Sequence, residues 1–112
     1  MRVMYDQTKT PVVCHLVGNL EHLTVGLFRE EVSTFRDSSR VIFELSAVPF
    51  IDSAGVGALI GAVRKLREGN GDAAVCSARP SVARVLKLVG LSRVVPVVSS
   101  VDEARACLQP AA

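Results

Sequence analysis

The sequence predicts an α/β fold: a single domain over residues 1–112, with a mixed sheet of about five strands, the first pair antiparallel, and about four helices mainly on one face. Three observations lead there. Short β-branched runs alternate with segments whose apolar residues recur at helical spacing. One hairpin signal precedes the first helix, whereas every later strand is separated from the next by a helix, which calls for parallel pairing through crossovers. At 112 residues the chain is long enough for one hydrophobic core and too short for two.

Taken in order, Val3–Asp6 reads as a short first strand. Thr8-Lys9-Thr10-Pro11 is a turn, and Pro11–Val17 (PVVCHLV) is a β-branched second strand closed by Gly18-Asn19. From Thr24 to Arg36, Val25, Phe28, Val32 and Phe35 recur at helical spacing with Arg29, Glu30, Glu31 and Arg36 opposite them, so this segment is an amphipathic helix ended by Asp37-Ser38-Ser39. Arg40–Leu45 (RVIFEL) is a buried strand. A second helix follows from about Ser53 to Glu68, with Val56, Leu59, Ile60, Val63 and Leu66 inward and Gly69-Asn70-Gly71 as its stop. Ala73–Ser77 is the next strand. A third helix after Pro80-Ser81 is expected to bury Val82, Val85, Leu86 and Val89 before Gly90. Val94–Val98 is the last strand, set at a sheet edge because Pro96 lacks an amide donor. Ser100-Val101-Asp102-Glu103 fits a capping box opening a terminal helix that carries Val101, Ala104 and Leu108.

Composition excludes several functions. The chain is 49% hydrophobic and 4% aromatic with no Trp, and its net charge of +2 comes without aromatic residues interleaved among Arg and Lys, so nothing speaks for nucleic-acid binding. No apolar run approaches the roughly 20 residues of a membrane span. The N-terminus lacks the basic and apolar regions of a signal peptide, so the expected location is the cytoplasm. Cys14, Cys76 and Cys107 show no CxxC spacing, and even with His15 and His22 they offer no paired metal ligands. Buried reduced thiols are the plain reading, and a redox pair of Cys76 with Cys107 is the sharper one. Charge is unevenly placed: through Val56 the chain carries five basic and seven acidic residues, and beyond it eight basic and four acidic. Such asymmetry suggests an oriented partner surface.

One stretch looks unsuited to packing alone: Pro49-Phe50-Ile51-Asp52-Ser53-Ala54-Gly55-Val56-Gly57-Ala58. It joins the central strand to the second helix, where ligands and partners meet the strand ends of open α/β sheets. Asp52 and Ser53 are both N-cap types, and each glycine in the first turns costs a helix about 1 kcal/mol relative to alanine. The positions expected to face outward are Ala54, Gly57, Ala58 and Gly61, then Arg64, Lys65 and Glu68. Small residues where a surface helix usually carries Lys or Glu let another backbone approach, which marks a docking surface around Ser53. By themselves, the residues also fit a plainer account in which Asp52 and Ser53 cap the helix and the glycines permit tight helix-to-sheet contact.

Val41–Leu59 (VIFELSAVPFIDSAGVGAL) resembles the "DLSxVxFxDSSGLGxL" signature of the STAS domain, as found in bacterial anti-sigma-factor antagonists. The resemblance continues through Val82–Leu91 (VARVLKLVGL), Val97–Ala104 (VVSSVDEA) and the Gly18-Asn19-Leu20-Glu21-His22 turn, and so covers nearly the whole chain. It implies that Ser53 is the phosphoacceptor of an anti-sigma factor that is itself an ATP-dependent serine kinase. The unphosphorylated protein would bind that kinase and free a sigma factor, and a PP2C-type phosphatase would reverse the modification. The implied partner surface comprises Glu21, His22, Asp52, Ser53, Ala54, Gly55, Gly57, Ala58 and Gly61. Glu21 and Glu44 stand where the family usually has Asp, and Ala54 replaces a second Ser.

Other functions compete with this one. A STAS domain can instead serve as a structural subunit, bound to an ABC transporter ATPase or held in a signalling assembly, and thiol control through Cys76 and Cys107 is a further alternative. An enzyme is not expected, because Ser53 has no His beside it in sequence, His15 reads as a strand side chain, and His22 alone makes a poor catalytic set. Gly55–Gly61 places its third glycine one position too late for G-x-G-x-x-G, and no Lys follows as a Walker A motif requires. No cofactor or metal is implied.

Overall fold

The computed structural model describes residues 1–109. Its elements are β1 (Arg2–Met4), β2 (Val12–Val17), α1 (Val25–Ser33), β3 (Arg40–Ala47), α2 (Ser53–Glu68), β4 (Asp72–Cys76), α3 (Pro80–Leu88), a 3-10 turn (Leu91–Arg93), β5 (Val97–Val98) and α4 (Val101–Cys107). The strands lie in the order β1-β2-β3-β4-β5; β1 is antiparallel to β2, with Val3 opposite Leu16, and the other neighbours pair in parallel. This is the α/β architecture with a mixed five-stranded sheet that the element order called for.

Central β3 is covered on both faces, which is why Val41, Ile42, Phe43 and Leu45 form a nearly unbroken apolar run with no exposed surface. On one face Cys14 and Leu16 of β2, Phe43 and Leu45 of β3 and Val75 of β4 pack with Phe28 of α1, Leu59 and Val63 of α2 and Leu86 of α3. On the other, Ala104 and Leu108 close over Ile42, Ala74 and Cys76. Three helices thus share a face while α4 takes the opposite one, lying over β3, β4 and β5. No helix among the described residues is long and apolar enough to cross a membrane.

Local chemistry accounts for where the observed ends depart from expectation. β1 stops at Met4 because the Asp6 carboxylate accepts from the Thr8 amide (2.9 Å) and hydroxyl (2.6 Å), drawing the chain into the turn. Helix α1 ends at Ser33, short of Arg36: the Ser33 and Thr34 hydroxyls donate back to the Glu30 and Glu31 carbonyls. Phe35 is still buried, edge-on against Tyr5 with ring centroids 4.8 Å apart. Helix α3 stops at Leu88, so Val89 is 53% exposed instead of buried and Val85 only half-buried. Gly90 then takes a left-handed conformation (φ 71°). The last strand shrinks from Val94–Val98 to Val97–Val98, since the amides of Val94 and Val95 still bond the Leu91 carbonyl and continue the turn. At α4 the Ser100 hydroxyl accepts from the Glu103 amide, the expected cap, while the Glu103 carboxylate takes the Ser99 amide.

Candidate functional site

The strand-to-helix loop before α2 is held by the loop that follows β2. Beyond the last regular pair of β2 and β3, the Gly18 amide donates to Ala47 O, the Leu20 amide to Phe50 O, and the Asp52 amide to Leu20 O, with Leu20 and Ile51 forming a parallel bridge. This short extension of the ladder sets Glu21 and His22 beside Asp52 and Ser53, although thirty residues separate them in the chain. Thr24 fixes the far end of the loop, its hydroxyl accepting from the Glu21 amide (3.0 Å) and donating to Asn19 O (2.8 Å).

Asp52 is the N-cap of α2. One carboxylate oxygen accepts from the Gly55 amide at 2.9 Å; the other accepts from the His22 amide at 3.2 Å and lies 3.6 Å from the His22 ring. The Gly55 amide foremost, then the His22 amide and ring, hold the Asp52 carboxyl below its ordinary range. Ser53 follows as the first residue of α2, exposed to solvent. Its hydroxyl therefore sits at the positive end of a sixteen-residue helix and next to a fixed carboxylate.

The small residues of α2 divide into two groups. Gly57 and Gly61 are exposed, and a Cβ built on either meets nothing within 4 Å. Gly55 is buried, and a Cβ there would stand 2.1 Å from the Leu20 carbonyl oxygen, in the loop bonded to Asp52. Gly55 thus lets two backbones touch and is not part of an outward surface. Ala58 also faces inward, only 2% exposed against the core, because it falls on the α1 side of the helix; Ala54 is half-buried. Of the small residues expected to face outward, Gly57 and Gly61 remain fully so. Gly61 borders a groove of about 290 Å³ between α1 and α2, with Phe28, Ala58 and Ala62 along it and Arg29 and Lys65 at its sides.

Sequence reading missed the apolar part of this surface. Phe50 is 49% and Leu23 78% exposed, each on one of the two loops that meet at Asp52. The signal was present in Phe50, a large apolar side chain inside a loop next to a helix cap.

Two further sequence candidates are placed apart from Ser53. Cys76 is buried at the end of β4 under α4, while exposed Cys107 lies beside Gly71 and Asp72 at the start of that strand. Four strand residues span about 13 Å, well over the Cα separation a disulfide accepts, so the structure does not bring these thiols together. Burial also pushes the Cys76 thiol up, and that of Cys14 to about 12. His15 faces away from Ser53, on the opposite side of the sheet from α1 and α2, with its Nδ1 2.8 Å from Glu44.

The sequence profile of the STAS domain matches residues 2–104. The chain belongs to the STAS domain family. It is 31% identical over 87 residues to the anti-sigma F factor antagonist of Lysinibacillus sphaericus, covering 75% of this chain and 74% of that one. Its fold is similar to that of an anti-sigma factor antagonist from Mycobacterium paratuberculosis (TM-score 0.85, 22% identity, 97% and 94% of the two chains). It is likewise similar to the Bacillus cell fate determinant SpoIIAA in its phosphorylated form (TM-score 0.67, 23% identity, 96% and 100% covered). In this STAS domain the sequence signature thus falls on the β3–α2 junction and the first turns of α2.

Proposed function

We propose that this STAS domain is an anti-sigma factor antagonist. It binds an anti-sigma factor that is an ATP-dependent serine kinase, releases the sigma factor held by that kinase, and is switched off by phosphorylation of Ser53. The relatives named as anti-sigma factor antagonists support the coarse reading. One observation carries the finer one: Ser53 is the exposed first residue of α2, next to the capping carboxylate of Asp52 and followed along the helix by the bare backbone of Gly57 and Gly61.

A partner fitted to this surface approaches the α2 backbone closely at the two glycines and rests on Leu23 and Phe50. A phosphoryl group on Ser53 adds a charge of about −1.5 to −2 and three acceptor oxygens. Within this chain the helix amides tolerate the dianion. At the interface it stands beside Asp52, with Glu21 on the adjoining loop, and concentrates negative charge where the partner is shaped for a neutral hydroxyl. Binding then fails by bulk, repulsion and desolvation, without a change of fold. A PP2C-type phosphatase would restore the binding form.

Ser53→Ala keeps the small neutral surface and is expected to bind the anti-sigma factor as the unmodified chain does; Ser53→Asp is expected to lose that binding. Equal affinities for the two variants, measured by calorimetry, would remove the switch from the account.

A further inference from the structure

The sheet has a second concave surface, on the face away from Ser53. Helix α4 lies over β3, β4 and β5, so the β1–β2 hairpin keeps one face open, with Met4 and His15 exposed upon it. Between this hairpin and Arg105 of α4 lies a cleft of about 410 Å³. Past Thr10 and Pro11 it continues into a further space of about 280 Å³ that reaches Arg40. The larger of the two volumes falls in the range of small-molecule sites.

The lining combines an excess of cations with an apolar body. Lys9 and Arg105 line the larger space, and Arg40 joins Arg105 in the smaller one. Among the described residues Asp6 is the single acidic residue lining either space, and it already accepts two hydrogen bonds from Thr8. Met4, Pro11 and Val13 supply apolar surface between the cations.

His15 is built into this lining. Its Nδ1 is held 2.8 Å from Glu44 Oε2, and the other oxygen of that carboxylate accepts from the Ser46 amide. Glu44 is 9% exposed and is the one buried charged residue among the described residues. A buried carboxylate that fixes one ring nitrogen aims the ring and leaves Nε2 toward the open side. Residues from β1, β2, the hairpin turn, β3 and α4 therefore converge on one cleft whose cations outnumber its acids.

We infer that this cleft binds a small organic anion, a carboxylate or phosphate group carried on an apolar body. The anionic group lies among Lys9, His15 and Arg105, and the apolar body rests on Met4, Pro11 and Val13. The site is independent of Ser53, which sits across the sheet.

Titration of the isotope-labelled full chain with phenyl phosphate, benzoate, inorganic phosphate and benzyl alcohol, followed by amide NMR, tests this. Phenyl phosphate or benzoate should saturate shifts at Thr10, Val13, His15 and Arg105 with Kd below about 1 mM. Binding by only one of the two supports the site and identifies its head group. Inorganic phosphate, lacking the apolar body, should bind at least about tenfold more weakly, and benzyl alcohol, lacking the charge, should not saturate. The double variant Lys9→Ala/Arg105→Ala should keep a folded spectrum and weaken binding by about tenfold or more. Ser53→Ala should bind unchanged. Saturation by neither aromatic anion, equal binding of benzyl alcohol or inorganic phosphate, or an unaltered Kd in the folded double variant would each overturn the proposal.

Discussion

Gly55 and Gly57 stand two residues apart on α2, and their surroundings are opposite. Gly55 faces inward, where the Leu20 carbonyl leaves no room for a Cβ; Gly57 faces outward, where a Cβ would touch nothing. The fold requires the first glycine and is indifferent to the second. A helix gains stability from alanine at an exposed glycine, so Gly57 and Gly61 leave α2 weaker than the isolated domain needs. The inner side of this turn is explained by the chain itself, and the outer side is left open for the partner that the proposed function docks there.

Substitution at the two glycines should separate them sharply. Gly55→Ala drives a methyl group into backbone that the Asp52 and Leu20 hydrogen bonds hold in place. It should lower unfolding free energy by about 3 kcal/mol or more in urea denaturation. Gly57→Ala should raise it, by about 0.5–1 kcal/mol, while weakening binding to the anti-sigma factor. Equal destabilisation by both substitutions would erase the contrast, and a Gly57→Ala protein that gains stability at no loss of binding would leave the outer glycine without its proposed reason.

A smaller effect contrasts two carboxylates, Asp52 at the start of α2 and Glu44 within β3. Asp52 is held by amides at an exposed helix start. Burial raises the pKa of Glu44, but the hydrogen bonds from Ser46 and His15 outweigh it and hold the carboxyl below its ordinary value of 4.5. A depressed folded-state pKa means a stabilising contribution present in full above the unfolded value and lost as pH falls from about 4.5 through the lower folded value. Thermal melts from pH 6 to pH 3 should therefore show the unmodified chain losing stability relative to Glu44→Gln only in that acid range. A constant difference across the series would show that ionised Glu44 takes no part.

Elements with strong end signals were legible in the sequence. Helix α2 begins at Ser53 and ends at Glu68 as expected, because Asp52 caps it and Gly69-Asn70-Gly71 stops it. Ends set by tertiary contacts or side-chain competition were not: Ser33 and Thr34 shorten α1, and the turn around Leu91 takes most of the last strand. At the site, Asp52, Ser53 and their neighbours Glu21 and His22 were legible from motif and loop position. The separate duties of Gly55 and Gly57 were not, since only the path of the β2–α1 loop tells which glycine meets a backbone. The Cys76 and Cys107 pairing failed for the same kind of reason: positions in two elements say nothing of register until α4 is laid along β4. Phe50 carried a signal in its place beside the helix cap, whereas the exposure of Leu23, a single apolar residue, is invisible in a pattern.

The proposed switch depends on the chemistry of one hydroxyl, that of Ser53. Incubation of the full chain with its cognate anti-sigma factor and ATP, followed by mass-spectrometric mapping of phosphate and measurement of the affinity of the modified chain, tests it. One phosphate is expected, on Ser53, with loss of binding once it is added. Phosphate at another residue, or a Ser53-phosphorylated chain that binds as tightly as before, would contradict it.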